Sequence, residues 1–199
     1  MNLGISRHWC AVMATLLLVV SCSWPAFGVS TSVTGQARAM QMTMNGITTM
    51  MSDTGTLAGV NDSRDGSSLW VGIPSLVSGE NLSASTLSWS DQVDSEASLA
   101  RLNLTAGGAA ISADFVMARA SSVLGGTGSG DSLFTNLSIN GGSVSVTGEP
   151  NQTITVSGGT VVINEHVLSQ GGITVNAIHI TVNGADLVIA SATAGISKH

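Results

Sequence analysis

The sequence predicts an all-β fold: an antiparallel β-sandwich-like domain of about ten short strands. Three observations carry that reading. Apolar residues alternate with polar ones at period two over most of the chain. Asn-Gly and Gly-Gly pairs separate the alternating runs, supplying the positive φ angles that tight hairpins need. Only 9% of the 199 residues are charged, against about 25% in an ordinary domain, and Lys and Glu are too scarce to build long helices. A β-solenoid is the alternative, because Gly-rich corners and β-branched runs such as Thr160–Ile163 would suit stacked rungs. The sandwich is preferred because no fixed repeat period is found.

The chain opens on an address. Arg7 and His8 precede an apolar run, Cys10–Val20, that is too short to span a bilayer, which takes about 20 helical residues. A positive start, a short apolar stretch and then small residues make residues 1–28 a secretory signal peptide. Two exits compete. Cleavage after Ala26-Phe27-Gly28 would start the exported chain at Val29. Val19-Val20-Ser21-Cys22 looks instead like a bacterial lipobox, with Cys22 as the thiol that would receive diacylglycerol. Both cysteines, Cys10 and Cys22, lie in this segment, so residues 29–199 must fold as a single all-β domain without disulfides, and are long enough to do so. The whole chain carries a net charge of −6, and the exported part loses Arg7 and keeps every acid. That excludes a basic nucleic-acid binder and disfavours anionic membranes, leaving a lipid anchor as the only route to a membrane.

The strands follow in order. Met40, Met42 and Met44 alternate up to a turn at Asn45-Gly46. Residues 54–95 carry the weakest pattern, with a polar loop at Asn61–Ser68. Leu99–Leu104 ends at Gly107-Gly108, and Ile111–Ala118 follows. Gly125–Ser132 reads as a flexible loop before Leu133–Ile139. Val144–Val146, Ile154–Val156 and Val161–Ile163 come next. Ile173–Val182 alternates cleanly except at Ala177-Ile178, where a bulge is expected. Asn183-Gly184 turns into Leu187–Ala192.

Three stretches carry a resemblance: Val144–Thr153 (Val-Ser-Val-Thr-Gly-Glu-Pro-Asn-Gln-Thr), Val161–Glu165, and Gly171–Ile180 (Gly-Gly-Ile-Thr-Val-Asn-Ala-Ile-His-Ile). Together with Gly35–Ala39, Asp53-Thr54-Gly55 and the close at Asp186–Ser191, the chain resembles bacterial surface proteins of the choice-of-anchor P family across roughly 34–196. The resemblance implies an exported envelope protein whose members share a body and differ in attachment. It brings no catalytic residues. The chain closes on Gly195-Ile196-Ser197-Lys198-His199 without a sorting motif, apolar helix or basic tail, which makes Cys22 the candidate covalent handle. Cleavage after Gly28 would discard it.

Candidate chemistry is sparse, and no cofactor or metal site is expected. Asp62, Asp65 and Gly66 lack EF-hand spacing and read as loop solvation. Gly125–Leu133 is out of register for a calcium-binding glycine-rich repeat and occurs once. Asp91, Asp94 and Glu96 lie near Trp89, the arrangement a hydrolase of glycosidic bonds would use. In a strand Asp94 and Glu96 would share a face and Asp91 would oppose them. Glu165 and His166 should point apart, and His179 should sit on the polar face of its strand. His166, His179 and His199 have no zinc-type spacing. No Gly-x-Ser-x-Gly elbow occurs. The clustered methionines read as core filler rather than a copper site. Trp70 and Trp89 could stack on sugars, yet in a chain with so few aromatics they read first as core anchors. The expected function is a non-catalytic structural or adhesive module that meets cell-surface or matrix components, or further copies of itself. A carbohydrate-binding module using Trp70 and Trp89 is the alternative, and a hydrolase the third.

Overall fold

The computed structural model describes residues 30–199. The signal segment, the Gly28–Val29 junction and Cys22 lie outside the described residues. Among the described residues, thirteen strands form two antiparallel sheets, and neither sheet closes on itself. Sheet A has the order β10 (Gln152–Val156), β11 (Gly159–Ser169), β12 (Gly172–Val182), β13 (Ala185–Lys198), β1 (Thr31–Met44), β2 (Ile47–Asp53). Sheet B runs β3 (Ser63–Ile73), β4 (Val77–Ser88), β5 (Gln92–Ala106), β6 (Ala109–Val123), β8 (Ser138–Ile139), β9 (Gly142–Ser143), with β7 (Ser129–Thr135) also paired to β6.

The two sheets pack over one apolar core, whose largest buried side chains include Met40, Leu82, Leu99, Ile163, Ile178 and Leu187. This is a β-sandwich and not stacked rungs. The first and last described strands are neighbours: β1 pairs with β13 from Thr31 opposite Lys198 to Thr43 opposite Asp186. Ser30 and His199 extend that ladder by exchanging backbone hydrogen bonds of 3.2 and 3.0 Å.

Four local expectations are corrected. The Asn61–Ser68 loop is a loop only to Asp62; from Ser63 it is edge strand β3, whose exposed residues lack the alternation a half-buried strand shows. Gly125–Ser132 is not a free connector, because β7 begins at Ser129. A Cβ on Gly130 would collide with the Arg119 carbonyl and Val175, and one on Gly128 with Gly172 and Ile173, so these glycines let backbones approach closely. Val144–Val146 forms no strand, although Val144 and Val146 pack on the core. Leu133–Ile139 is broken between β7 and β8 at Asn136, which has a φ of 53°.

The bulge expected at Ala177-Ile178 is absent, because the register runs through without an extra residue; the change of parity there is instead one point on a crease that crosses sheet A. Burial in β12 switches parity there: Ile173, Val175 and Ala177 face the core, then Ile178, Ile180 and Val182. The same switch occurs at Ala39-Met40 in β1 and Ile189-Ala190 in β13. Neighbouring pairs bracket one transverse row, Asn164–Ala177–Ala190–Ala39–Ser52, with no change of register. Its alternate members are left-handed, with φ of 52° at Asn164, 52° at Ala190 and 49° at Ser52. Sheet B is also creased, here with register shifts between β4 and β5 around Glu80: Asn81 (49°), Arg101 (51°) and Asn136 (53°) are left-handed, and β5 switches parity between Leu99 and Leu102. The crease lets strands as long as 15 residues send apolar side chains inward along both halves.

Candidate functional face

The outward side chains of sheet B border three cavities. Trp70 and Trp89 are both on this side, and neither is a core anchor: Trp70 is 62% exposed and Trp89 is 41% exposed. A core location fails because Val71 takes the inward position on β3 and Trp89 sits beyond the end of β4, in the turn to β5. They do not share a platform. Trp70 pairs with Glu80, and Trp89 lies nine residues further along the chain from Glu80, about 30 Å for an extended strand.

The Trp70 indole folds back over Gly72, two residues on and on the same face of β3. A Cβ on Gly72 would overlap Cζ2 and Cη2 of that ring, so only glycine permits this placement. The indole walls a cavity of about 350 Å³ bounded by Pro74, Ser75, Ser78, Asn103 and Thr105. A second cavity of about 330 Å³ adjoins it and shares Asn103, with Arg101, Ser112, Asp114 and Asn136 around it. Two of them, Arg101 and Asn136, are left-handed residues of the sheet B crease, so the crease borders this cavity. Asn136 Nδ2 donates to Asp114 Oδ2 at 2.6 Å, and Arg101 pairs with Glu80 at 3.2 Å.

The third cavity, about 550 Å³, lies at the other end of the same sheet and is lined by Asp94, Glu96, Arg119 and Asp131 among others. Asp94 and Glu96 share its face, alternating with buried Val93, Ser95 and Ala97. Glu96 accepts a 2.7 Å hydrogen bond from Arg119 Nε, which also raises the guanidinium pKa. Asp94 accepts from Gln92 Nε2 at 2.9 and 3.0 Å. Asp91 does not line the cavity. Asp94 and Glu96 thus each accept from a neighbouring side chain, and Asp131 on β7 also borders the cavity.

Sequence reasoning missed a polar cluster that spans three strands of sheet A. His179 on β12 has Nδ1 2.9 Å from both oxygens of Glu165 on β11 and Nε2 2.9 Å from Asp186 on β13. Only the imidazolium can donate from both nitrogens. The hydrogen bond to Glu165 and that to Asp186, opposed by burial, push the His179 pKa up to about 9. The same contact, with Asn176 Nδ2 donating at 2.6 Å, holds Glu165 below the usual carboxylate range. The two acids approach opposite sides of one ring, so the three groups diverge and do not converge on a metal. Glu165 and His166 point apart as expected. Burial pushes the His166 pKa down, and its Nε2 lies 3.0 Å from Asn164 Oδ1. The missing signal is long-range: three strands of sheet register bring these residues together.

No protein-family model, curated protein or solved structure matches the chain.

Proposed function

We propose that this chain is an exported, non-catalytic module of the bacterial cell envelope or surface, structural or adhesive in role. One observation carries the reading: among the described residues, four of the twelve large apolar side chains left in solvent stand on two neighbouring edge strands. Ile47 and Met50 stand on β2, and Leu69 and Trp70 on β3, with Leu69 85% exposed. The two edges run close enough that a Cβ on Gly66 would come within 3.0 Å of the Asp53 carbonyl oxygen. Unpaired edge backbone beside apolar side chains is a surface for contact with another molecule, whether a cell-surface component, matrix or a second copy. The Arg7–Gly28 address and the choice-of-anchor P resemblance support export, and the acidic balance speaks against nucleic acid.

The test is adhesion and surface labelling of intact cells. Cells producing the protein should expose it to a membrane-impermeant reagent and adhere better than cells lacking it. An Ile47→Glu, Leu69→Glu double variant should remain folded and surface-exposed but lose that gain. A protein found only in the cytoplasm with Met1 intact would overturn the reading. Cys22→Ala separates the two modes of attachment. Release from the membrane fraction would indicate a lipid anchor, and unchanged behaviour with a chain starting at Val29 would indicate plain secretion.

A carbohydrate-binding module is the second reading, favoured by the Trp70 cavity alone, since Trp89 lies far from it. A hydrolase built on Asp91, Asp94 and Glu96 ranks third, because Asp91 lies away from the cavity that Asp94 and Glu96 border.

A further inference from the structure

We propose that the two adjoining cavities on sheet B form one trough that binds an extended neutral oligosaccharide, with Trp70 stacking on a sugar ring at one end and Asn103 hydrogen-bonding at its middle. The inference rests on the carbohydrate-binding reading and gives it a site.

The trough follows one register row across the strands. Gly72 on β3 is opposite Ser78 on β4, Ser78 opposite Asn103 on β5, Asn103 opposite Ser112 on β6, and Ser112 opposite Ser138 on β8. Each outward side chain in the row is absent or short and polar. The two cavities cover this row from Gly72 to Ser112, three inter-strand steps, which gives a floor about 14 Å long, with Ser138 continuing the row beyond it. That length suits two or three linked sugar rings.

The chemistry narrows the occupant. Pyranose rings present an apolar C–H face and a rim of hydroxyls. The Trp70 indole offers a flat apolar wall, half clear of the protein. Hydroxyls of Ser75, Ser78, Thr105 and Ser112 both donate and accept, as sugar hydroxyls do. Asn103 spends one donor on the Arg101 carbonyl at 3.3 Å and keeps its amide oxygen for a ligand. Arg101 is already paired with Glu80, and Asp114, which accepts from the neutral Asn136 amide, keeps its negative charge. An anionic ligand is repelled by Asp114, whereas a neutral polyol is not. The sheet backbone beneath is spent on its own ladder, so an extended peptide would find no main-chain partners.

The experiment uses the exported chain and three hexasaccharide probes: cellohexaose, chitohexaose and laminarihexaose. Trp70 fluorescence is followed in a Trp89→Phe background, and affinity is checked by calorimetry. At least one probe should bind with a Kd of about 1 mM or tighter. Trp70→Ala should weaken binding at least about tenfold and Asn103→Ala several-fold. Gly72→Ala, which displaces the indole, should weaken it while leaving Ser112 and Asn136 in place. Trp89→Ala should leave affinity unchanged. Circular dichroism should show each variant folded, since the residues changed are exposed or at the surface. Failure of all three probes, or binding indifferent to Trp70→Ala, overturns the trough. Adhesion undiminished in cells carrying Trp70→Ala overturns the glycan as adhesive ligand and leaves the surface-module reading standing.

Discussion

Sheets A and B carry the same device, a transverse crease of left-handed residues, and put it to opposite uses. In sheet A the crease is closed over: Ala177, Ala190 and Ala39 are fully buried, and the charges nearby are tied into the His179 cluster. In sheet B the crease is open: Arg101 and Asn136 stand in solvent and border a cavity. An inversion of side-chain parity that serves packing where a second layer covers it becomes surface relief where nothing does. Stability should therefore concentrate in sheet A, and tolerance to change in sheet B.

The largest expected effect contrasts core with edge. Leu187→Ala in sheet A should cost about 2–5 kcal/mol by transfer loss and cavity formation, whereas Leu69→Ala on β3 should stay within about 0.5 kcal/mol, both read from urea midpoints. Equal losses at the two positions would break the comparison.

Next comes the close approach between the layers. Gly130→Ala, which drives a methyl into the Arg119 carbonyl and Val175, should cost about 1–3 kcal/mol. Gly184→Ala, with open space around its Cβ but a φ of 79°, should cost about 1 kcal/mol from backbone strain alone.

The His179 cluster should sharpen the contrast with pH. Its folded pKa, about 9, is raised above the unfolded value near 6.5. The folded state then binds more protons between those values, and stability falls as pH rises through the window. The cluster's contribution is full below about pH 6.5 and lost above about 9, on the order of 1–2 kcal/mol once solvent screening at half-buried Asp186 is allowed for. His179→Gln should flatten that part of the stability profile. A profile unchanged by the substitution would remove the cluster from the account.

The smallest effect belongs to the open crease. Arg101→Gly trades an exposed ion pair for relief of a left-handed backbone and should be neutral within about 0.5 kcal/mol, while Arg101→Val should cost about 1–2 kcal/mol. Thermal denaturation of the pair would show whether the crease, and not the charge, sets the residue.

The legible parts of the fold are those where one face is buried. Ile173, Val175 and Ala177 followed by Ile178, Ile180 and Val182 disclose both the strand and its parity switch, because the core demands apolar side chains on one side only. Ala39-Met40 and Ile189-Ala190 hold the same doublet. Strand β3 was illegible because an edge strand facing solvent has no such demand placed on it. Asp94 and Glu96 sharing a face followed from period two alone. The location of Trp70 did not, since alternation says that Trp70 and Val71 face opposite ways without saying which way is in. The meeting of Glu165, His179 and Asp186 depends on how three strands align, and no local pattern specifies that.

The exchange of backbone hydrogen bonds between Ser30 and His199 has a topological consequence. Positions 30 and 199 are as close as two neighbours in a ladder, so a few Gly/Ser residues would join them without disturbing either sheet. New ends could then be opened at Asn183-Gly184, a turn with open space around Gly184. In such a circular permutant the pairing of β1 with β13 becomes a local hairpin, and that of β12 with β13 becomes the long-range closure. The sandwich should be reached in a different order with its final contacts unchanged.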